Sequence, residues 1–224
     1  MFFTYSPQLR QDIEDALSAD RLTAYRNAAG GDLERAIDLY VWNAGTAAAF
    51  FGPIGVLEIT LRNALDRELS RTFRSPWFDD PAFLRIDANV AGRVRKIKQK
   101  LVDRGAAVTQ PRVVAELSLG FWVNLLRPGP RGSYVHALWG PALSKAFRPG
   151  TRRATVAGHL DRVLRFRNRV AHHEPIFSRD LTVHYASILW VIEQAAPGLV
   201  PWVEHHARVP SCITDGPTPP RLRL

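Results

Sequence analysis

The chain has one cysteine in 224 residues, and that residue, Cys212, lies in a proline-rich C-terminal stretch. A lone thiol excludes an intramolecular disulfide framework and a cysteine-based zinc site, and it fits a reducing compartment. Strand signals are equally scarce: runs of alternating β-branched residues are few, and no Asn-Gly or Asp-Gly pair sits between two apolar runs. Long hydrophobic runs are missing too. The most apolar stretch, AGTAAAFFGPIGVL, is broken by glycine and proline and is too short to span a bilayer before Glu58 interrupts it. The N-terminal MFFTYSPQLRQ has no basic region followed by an apolar run and a small-residue cleavage site. No P-loop, Rossmann glycine pattern or HExxH motif is present. These absences set the expectation of a cytoplasmic protein without membrane attachment, metal or cofactor.

Acidic residues are also in deficit. Lys and Arg number 30 against 21 Asp and Glu, a formal net charge of +9, so the surface potential attracts polyanions such as nucleic acid. With 46% hydrophobic residues the chain buries one substantial core.

Helical spacing and capping residues fill the rest of the sequence. Ser6-Pro7 opens a first helix, Asp20 caps a second that ends at Gly30-Gly31, and Asp32 opens a third whose stripe is Leu33, Ala36, Ile37, Tyr40 and Ala44. Gly52-Pro53 is expected to break it, and a new helix then runs to Ser70 with Ile54, Leu57, Leu61, Leu65 and Leu69 on one face. A basic helix follows from Asp87 to Arg104. Later helices are expected from Thr151 to His173, where Pro175 stops the run, from Asp180 to Ala195, and from Pro197 to His206. The expected organisation is all-α: a single domain over residues 1–206, with 1–30 as an N-terminal helical extension and 207–224 as a flexible proline-rich tail.

Two polar residues interrupt apolar stripes. At about 100° per residue, Val156, Leu160, Val163 and Val170 share one face of the Thr151 helix, and Arg167 falls in the middle of it. Glu58 falls among Ile54, Leu57, Leu61 and Leu65 in the same way. A charge withdrawn from water costs several kcal/mol, of order 3 or more, unless paired or used by a ligand. An inward Glu and an inward Arg on two helices suggest an ion pair at a helix contact, which either fixes helix register or serves a site. His172 follows Arg167 by five residues, near the helix end. It is either an ordinary surface histidine or a general acid or base, the role for which imidazole is best suited near neutral pH.

The run from Arg167 to His172, RNRVAH, resembles the R-x4-6-H motif of the HEPN superfamily, in the form where Asn follows the Arg. The longer RNRVAHHEPI, with LYVWNAG near Tyr40 and LEITLRNALDREL from Leu57, looks like the Abi-like (abortive infection) branch of that superfamily. The likeness spans about Asp32 to Pro201 and is weakest over 71–108. It implies a HEPN-type helical bundle with additional helices, a homodimer in which two motif copies face each other, and metal-independent endoribonuclease activity in antiphage abortive infection or as a toxin. Partners implied are RNA and either a neutralising antitoxin or a phage trigger. Under that resemblance Arg167 and His172 are catalytic, and Asn168, Glu58 and His173 support them. The products of 2′-OH attack carry 2′,3′-cyclic phosphate ends. Some members of the superfamily keep only binding or structural roles, so a catalytically inactive RNA-binding or protein-interaction module is the alternative.

Basic surfaces form a second line. GRVRKIKQKLVDR, residues 92–104, carries Arg93, Arg95, Lys96, Lys98, Lys100 and Arg104 against one acid, and Arg165 and Arg169 add charge beside the motif. Such a stripe is either a solvated helix face or a track for a phosphate backbone. Arg93, Arg95, Lys96, Lys98, Lys100, Arg165 and Arg169 are the candidate RNA contacts. Adjacent His172 and His173 diverge on a helix, and no matching ligand set accompanies them or His205-His206, so no metal site is expected.

Overall fold

A computed structural model describes residues 4–74 and 76–217. All regular structure among them is helical, as expected: α1 (Pro7–Leu17), α2 (Ala19–Ala28), α3 (Leu33–Thr72), α4 (Pro81–Leu84), α5 (Ala88–Asp103), α6 (Gln110–Glu116), α7 (Leu119–Leu125), α8 (Arg153–Ala171), α9 (Leu181–Ala195), α10 (Val200–His206) and α11 (Val209–Asp215). Short 3₁₀ and π turns fill some of the connections.

Side chains start these helices much as their sequences suggest. The Leu9 N–H donates to Ser6 Oγ at 3.1 Å with Pro7 next to it, Arg35 N–H donates to Asp32 Oδ1 at 3.1 Å, and Val183 N–H donates to Asp180 Oδ1 at 3.0 Å. Each satisfies a donor that the first helical turn leaves without an intrahelical acceptor. Two expected caps differ. Ser18, not Asp20, caps α2. Thr151 lies outside α8, its hydroxyl donating to Arg148 O at 2.6 Å.

Pro53 does not break α3, which runs for 40 residues through it. An interior proline removes one backbone hydrogen bond and costs about 3 kcal/mol. Phe50, Ile54 and Leu57 around it are almost fully buried, and each such side chain returns roughly 1.5–3 kcal/mol relative to exposure. Tertiary burial therefore overrides the local breaker. The unbroken α3 is long and apolar enough to cross a membrane by length and composition, with half of its most apolar window buried inside the fold. A core helix meets the same criterion.

The chain divides into two compact units. Among the described residues, the first comprises 4–54 together with 165–186 and 203–217. Its core joins Leu22, Tyr25 and Ala36, all without exposed surface, to Leu33, Leu39, Tyr40 and Phe177. Residues 1–30 are thus no appendage, since α2 supplies two of the three central side chains. Tyr25 meets Tyr40 edge-on at 5.3 Å and Phe177 at 5.1 Å. Burial and a hydrogen bond to Asp38 push the Tyr5 phenol up to about 12. Nor is residue 207 onward simply a tail: α11 packs Val209 and Cys212 inward, and Trp42 Nε1 donates to the Cys212 carbonyl at 3.0 Å. The rest of that expected tail, 218–224, lies outside the described residues.

The second unit comprises residues 55–164 and 187–202. Its centre is an aromatic cluster: Trp77 lies 4.7 Å from Phe83 and 5.9 Å from Trp122. Trp77 Nε1 donates to Asp66 Oδ1 at 2.6 Å, and Gln110 donates to the same oxygen at 2.9 Å. Elsewhere in this unit His159 stacks on Trp190 with centroids 4.2 Å apart. Burial, reinforced by the nearby Arg162 charge, holds the His159 imidazole below its ordinary value.

Because the folded state binds that proton less readily than the unfolded chain, the stability linked to His159 is present above the usual imidazole pKa and fades as pH falls through it. Melting temperatures measured between about pH 7 and pH 5 should therefore fall less steeply for His159→Gln than for the parent chain; parallel curves would contradict this.

Candidate functional site

The apolar stripe projected for α8 is present. Val156, Leu160 and Val163 are buried in the second unit, and Phe166 and Val170 in the first. Arg167 is half-buried on that stripe, while Arg165, Asn168, His172 and His173 are exposed and Arg169 is half-buried. These six residues therefore occupy one helix end. Glu58 belongs to the second unit, half-buried beside the fully buried Leu57 and Leu61.

The helix ends by a defined stop. His172 N–H still donates to Asn168 O at 2.9 Å, so the last turn is intact. His173 then turns into the left-handed region at φ 54°, its N–H donating to Val170 O at 3.1 Å while Glu174 N–H reaches back to Arg169 O at 2.9 Å. That pair of bonds satisfies two carbonyls that a helix end leaves open, a role usually given to glycine. For histidine the left-handed turn costs about 1–2 kcal/mol. Pro175 adds its own restriction on Glu174, but the reversal already occurs at His173.

Three contacts hold the strained turn in place. Arg21 Nη1 donates to the His173 carbonyl at 2.9 Å. Arg169 Nη2 lies 3.3 Å from Glu174 Oε2. Asn43, only 4% exposed, accepts the Ile176 N–H at 2.7 Å and the Phe177 N–H at 3.1 Å on its single side-chain oxygen. With Ile176 fully buried and Phe177 against Tyr25, the segment after His173 is fixed from both backbone and side-chain directions.

Neither Asn43 nor Arg21 was singled out from the sequence. The signal for Asn43 was available: it follows Ala36 by seven residues and Tyr40 by three, which sets it on the apolar stripe of α3. The signal for Arg21 was not, because a backbone carbonyl 152 positions away has no pattern in sequence.

An intact last turn also fixes what His172 can do. It follows Arg167 by five positions, an angular offset of about 140° at helical spacing. Fraying that would swing the imidazole back toward Arg167 is not seen. Arg167 and His172 of one chain therefore project in different directions from the helix axis.

The basic residues of α5 divide into two sets. Lys98 Nζ lies 2.6 Å from Asp79 Oδ1 and 5.7 Å from the Phe78 ring centroid. Lys100 and Arg104 share Glu116, at 2.5 and 3.1 Å; the Lys100 hydrogen bond is the main reason that carboxyl sits below its usual range. These residues are not a stripe of one sign in the fold, because Asp79 and Glu116 pair with them from outside the helix. Arg93, Arg95 and Lys96 are exposed, and among the described residues no carboxylate lies within ion-pairing distance of them. Nor do the described residues gather three or more His, Cys, Asp or Glu in a group able to hold a metal ion.

No protein-family model matches the chain, and no curated protein or solved structure is significantly similar to it.

If Asn43 carries the turn, Asn43→Ala strands the buried Ile176 N–H and should cost about 1–3 kcal/mol, which lowers the melting temperature by roughly 2–10 °C for a chain of this size. Amide exchange at Ile176 and Phe177 should accelerate at the same time. An unchanged melt with unchanged exchange would remove Asn43 from this role.

Proposed function

We propose that the chain is a metal-independent endoribonuclease of HEPN type, of the Abi-like kind, acting in antiphage abortive infection or as a toxin, with a composite active site formed by two copies. The observation that carries this reading is the combination at the end of α8: Arg167 half-buried on an otherwise apolar stripe, and His172 exposed directly after the last helical residue, in a chain reversal held by Asn43 and Arg21. A helix end that served only as surface would need neither the inward guanidinium nor the strained histidine stop.

The residue types suit transesterification of RNA. A base removes the proton from a ribose 2′-OH, the 2′ oxygen bonds to phosphorus, and the bond from phosphorus to the 5′ oxygen breaks. An acid returns a proton to that leaving oxygen, and the product end is a 2′,3′-cyclic phosphate. The two proton transfers call for two groups, and with His173 committed to the helix stop, His172 provides one per chain. Two copies of His172 across a homodimer provide the pair, one neutral and one protonated. The planar, permanently charged guanidinium of Arg167 suits the non-bridging oxygens of the phosphorane. The divergence of Arg167 and His172 along one helix favours a site completed by a second chain over one built within a single chain. Asn168 and His173 support the motif, the first through its carbonyl to His172 and the second as the stop. Arg165 and Arg169 beside the motif in the first unit, and separately Arg93, Arg95 and Lys96 on α5 in the second, supply positive charge that draws in a phosphate backbone.

A second reading has its own observation. Arg169 is drawn to Glu174, and Lys98 and Lys100 to acids, which is how a structural helix end and a stable surface are also built. Under that reading the chain is a catalytically inactive module that binds RNA or a partner protein.

The two separate in one assay. Purified protein incubated with RNA in EDTA should cleave it, leaving 2′,3′-cyclic phosphate ends, and Arg167→Ala and His172→Ala should each lower the rate by roughly 100-fold or more while the circular dichroism spectrum and melt stay near those of the parent. Salt-dependent RNA binding without cleavage would favour the module instead, and variants that cut like the parent would remove these residues from the site.

A further inference from the structure

The sorting of charge on α5 leaves one feature unexplained. Arg93 and Lys96, one helical turn apart on the same face, line a concavity of about 600 Å³ within the second unit. Arg127 enters from the end of α7, Asn124 from within it, and Tyr134 lies alongside. That volume lies in the range of sites that bury small molecules rather than single ions.

Each polar group on the floor has a fixed role. Asp87 accepts the Asn89 N–H at 2.7 Å through one oxygen and the Tyr134 hydroxyl through the other. Its carboxylate is thereby committed to the start of α5 and to the phenol. Asn124 Nδ2 donates to the Tyr134 oxygen at 3.5 Å. Arg127 binds Asp161 Oδ1 through Nε and Nη2, at 3.2 and 2.6 Å, and a guanidinium has five N–H donors, so donors remain for a further acceptor. The opposite wall is backbone: at Gly129, φ 73°, a Cβ would lie 2.4 Å from the Tyr134 ring, so only glycine permits this approach.

Three cations thus border one hollow, and two of them have no carboxylate within ion-pairing distance among the described residues. On the same helix Lys98 and Lys100 are neutralised by acids from outside it. Asp87 in the lining and Asp161 on Arg127 offset two of those charges, and the net positive charge that is left in a concave site focuses the field on an anion. Arginine and lysine together match the oxygens of a phosphate ester: the guanidinium as a planar fork and the ammonium as a point charge.

We propose that this hollow binds a phosphate group of a nucleotide, held by Arg93, Lys96 and Arg127. The group arrives either on a free nucleotide or as part of an RNA strand, and the site does not depend on whether the end of α8 cleaves RNA.

The test is titration calorimetry of the whole chain with inorganic phosphate, with AMP and ATP, and with a short single-stranded RNA, comparing Arg93→Gln and Lys96→Gln with Lys145→Gln. Lys145 is exposed in the same unit and carries the same charge, yet does not line the hollow, so it controls for net charge. Arg93→Gln and Lys96→Gln should each weaken binding by roughly ten- to hundredfold, and Lys145→Gln should change it less than about twofold, with melts of all three near the parent. Loss confined to the nucleotide titrations identifies a free nucleotide as the source, and loss seen with RNA alone identifies a strand; both support the site. Equal weakening by all three variants, or no binding of any probe at millimolar concentration, overturns it. The readout is binding, so absent RNA cleavage leaves this test unaffected.

Discussion

A single buried carboxamide oxygen organises the end of α8. Asn43 accepts two successive backbone N–H groups, those of Ile176 and Phe177, in a place where an unpaired buried donor costs about 1–3 kcal/mol. Because that oxygen fixes where the chain must be five residues after Ala171, the helix has to stop and reverse between them. The left-handed conformation of His173 follows from this requirement, and so does the intact turn that sets the direction of His172. Arg21, arriving from α2, adds a charged donor to the His173 carbonyl. Local strain at His173 is thus offset by satisfaction of buried polar groups nearby, a pattern common where a backbone is held for a purpose.

That constraint sharpens the functional reading. An α8 that frayed at its end would allow Arg167 and His172 of one chain to converge. A clamped helix end does not, so a reaction that uses both residues on one phosphate is better served by two chains. The need for two proton-transfer groups leads to the same arrangement from chemistry alone. Meanwhile the second unit carries its own positive feature, the hollow beside Tyr134, where Arg93 and Lys96, unlike Lys98 and Lys100, have no carboxylate within ion-pairing distance among the described residues.

The helices were legible in the sequence because their caps and stripes are local. Ser6, Asp32, Asp87 and Asp180 each bond an N–H two or three residues ahead, and such short-range chemistry can be read without a fold. Pro53 was misread for the converse reason, since its tolerance depends on burial around it and not on its neighbours in sequence. The inward position of Arg167 was legible as a break in a stripe. The same criterion applied to α3 would have flagged Asn43, which shares its face with Ala36 and Tyr40. What sequence could not supply were pairings across long separations: Asp79 and Glu116 with the lysines of α5, Arg21 with His173, and the Trp42 indole with the Cys212 carbonyl. Each changes the meaning of a residue that, read alone, looked like free charge or loose tail.

The central claim is that two copies of His172 act in one site, and mixed assemblies test it most directly. Parent and His172→Ala chains, tagged differently and refolded together in equal amounts, form parent, mixed and variant dimers at random. If both histidines are required, only dimers of two parent chains cut RNA, and activity falls to about a quarter of that of the parent alone. Activity near one half would mean that each chain works by itself, and would contradict the composite site.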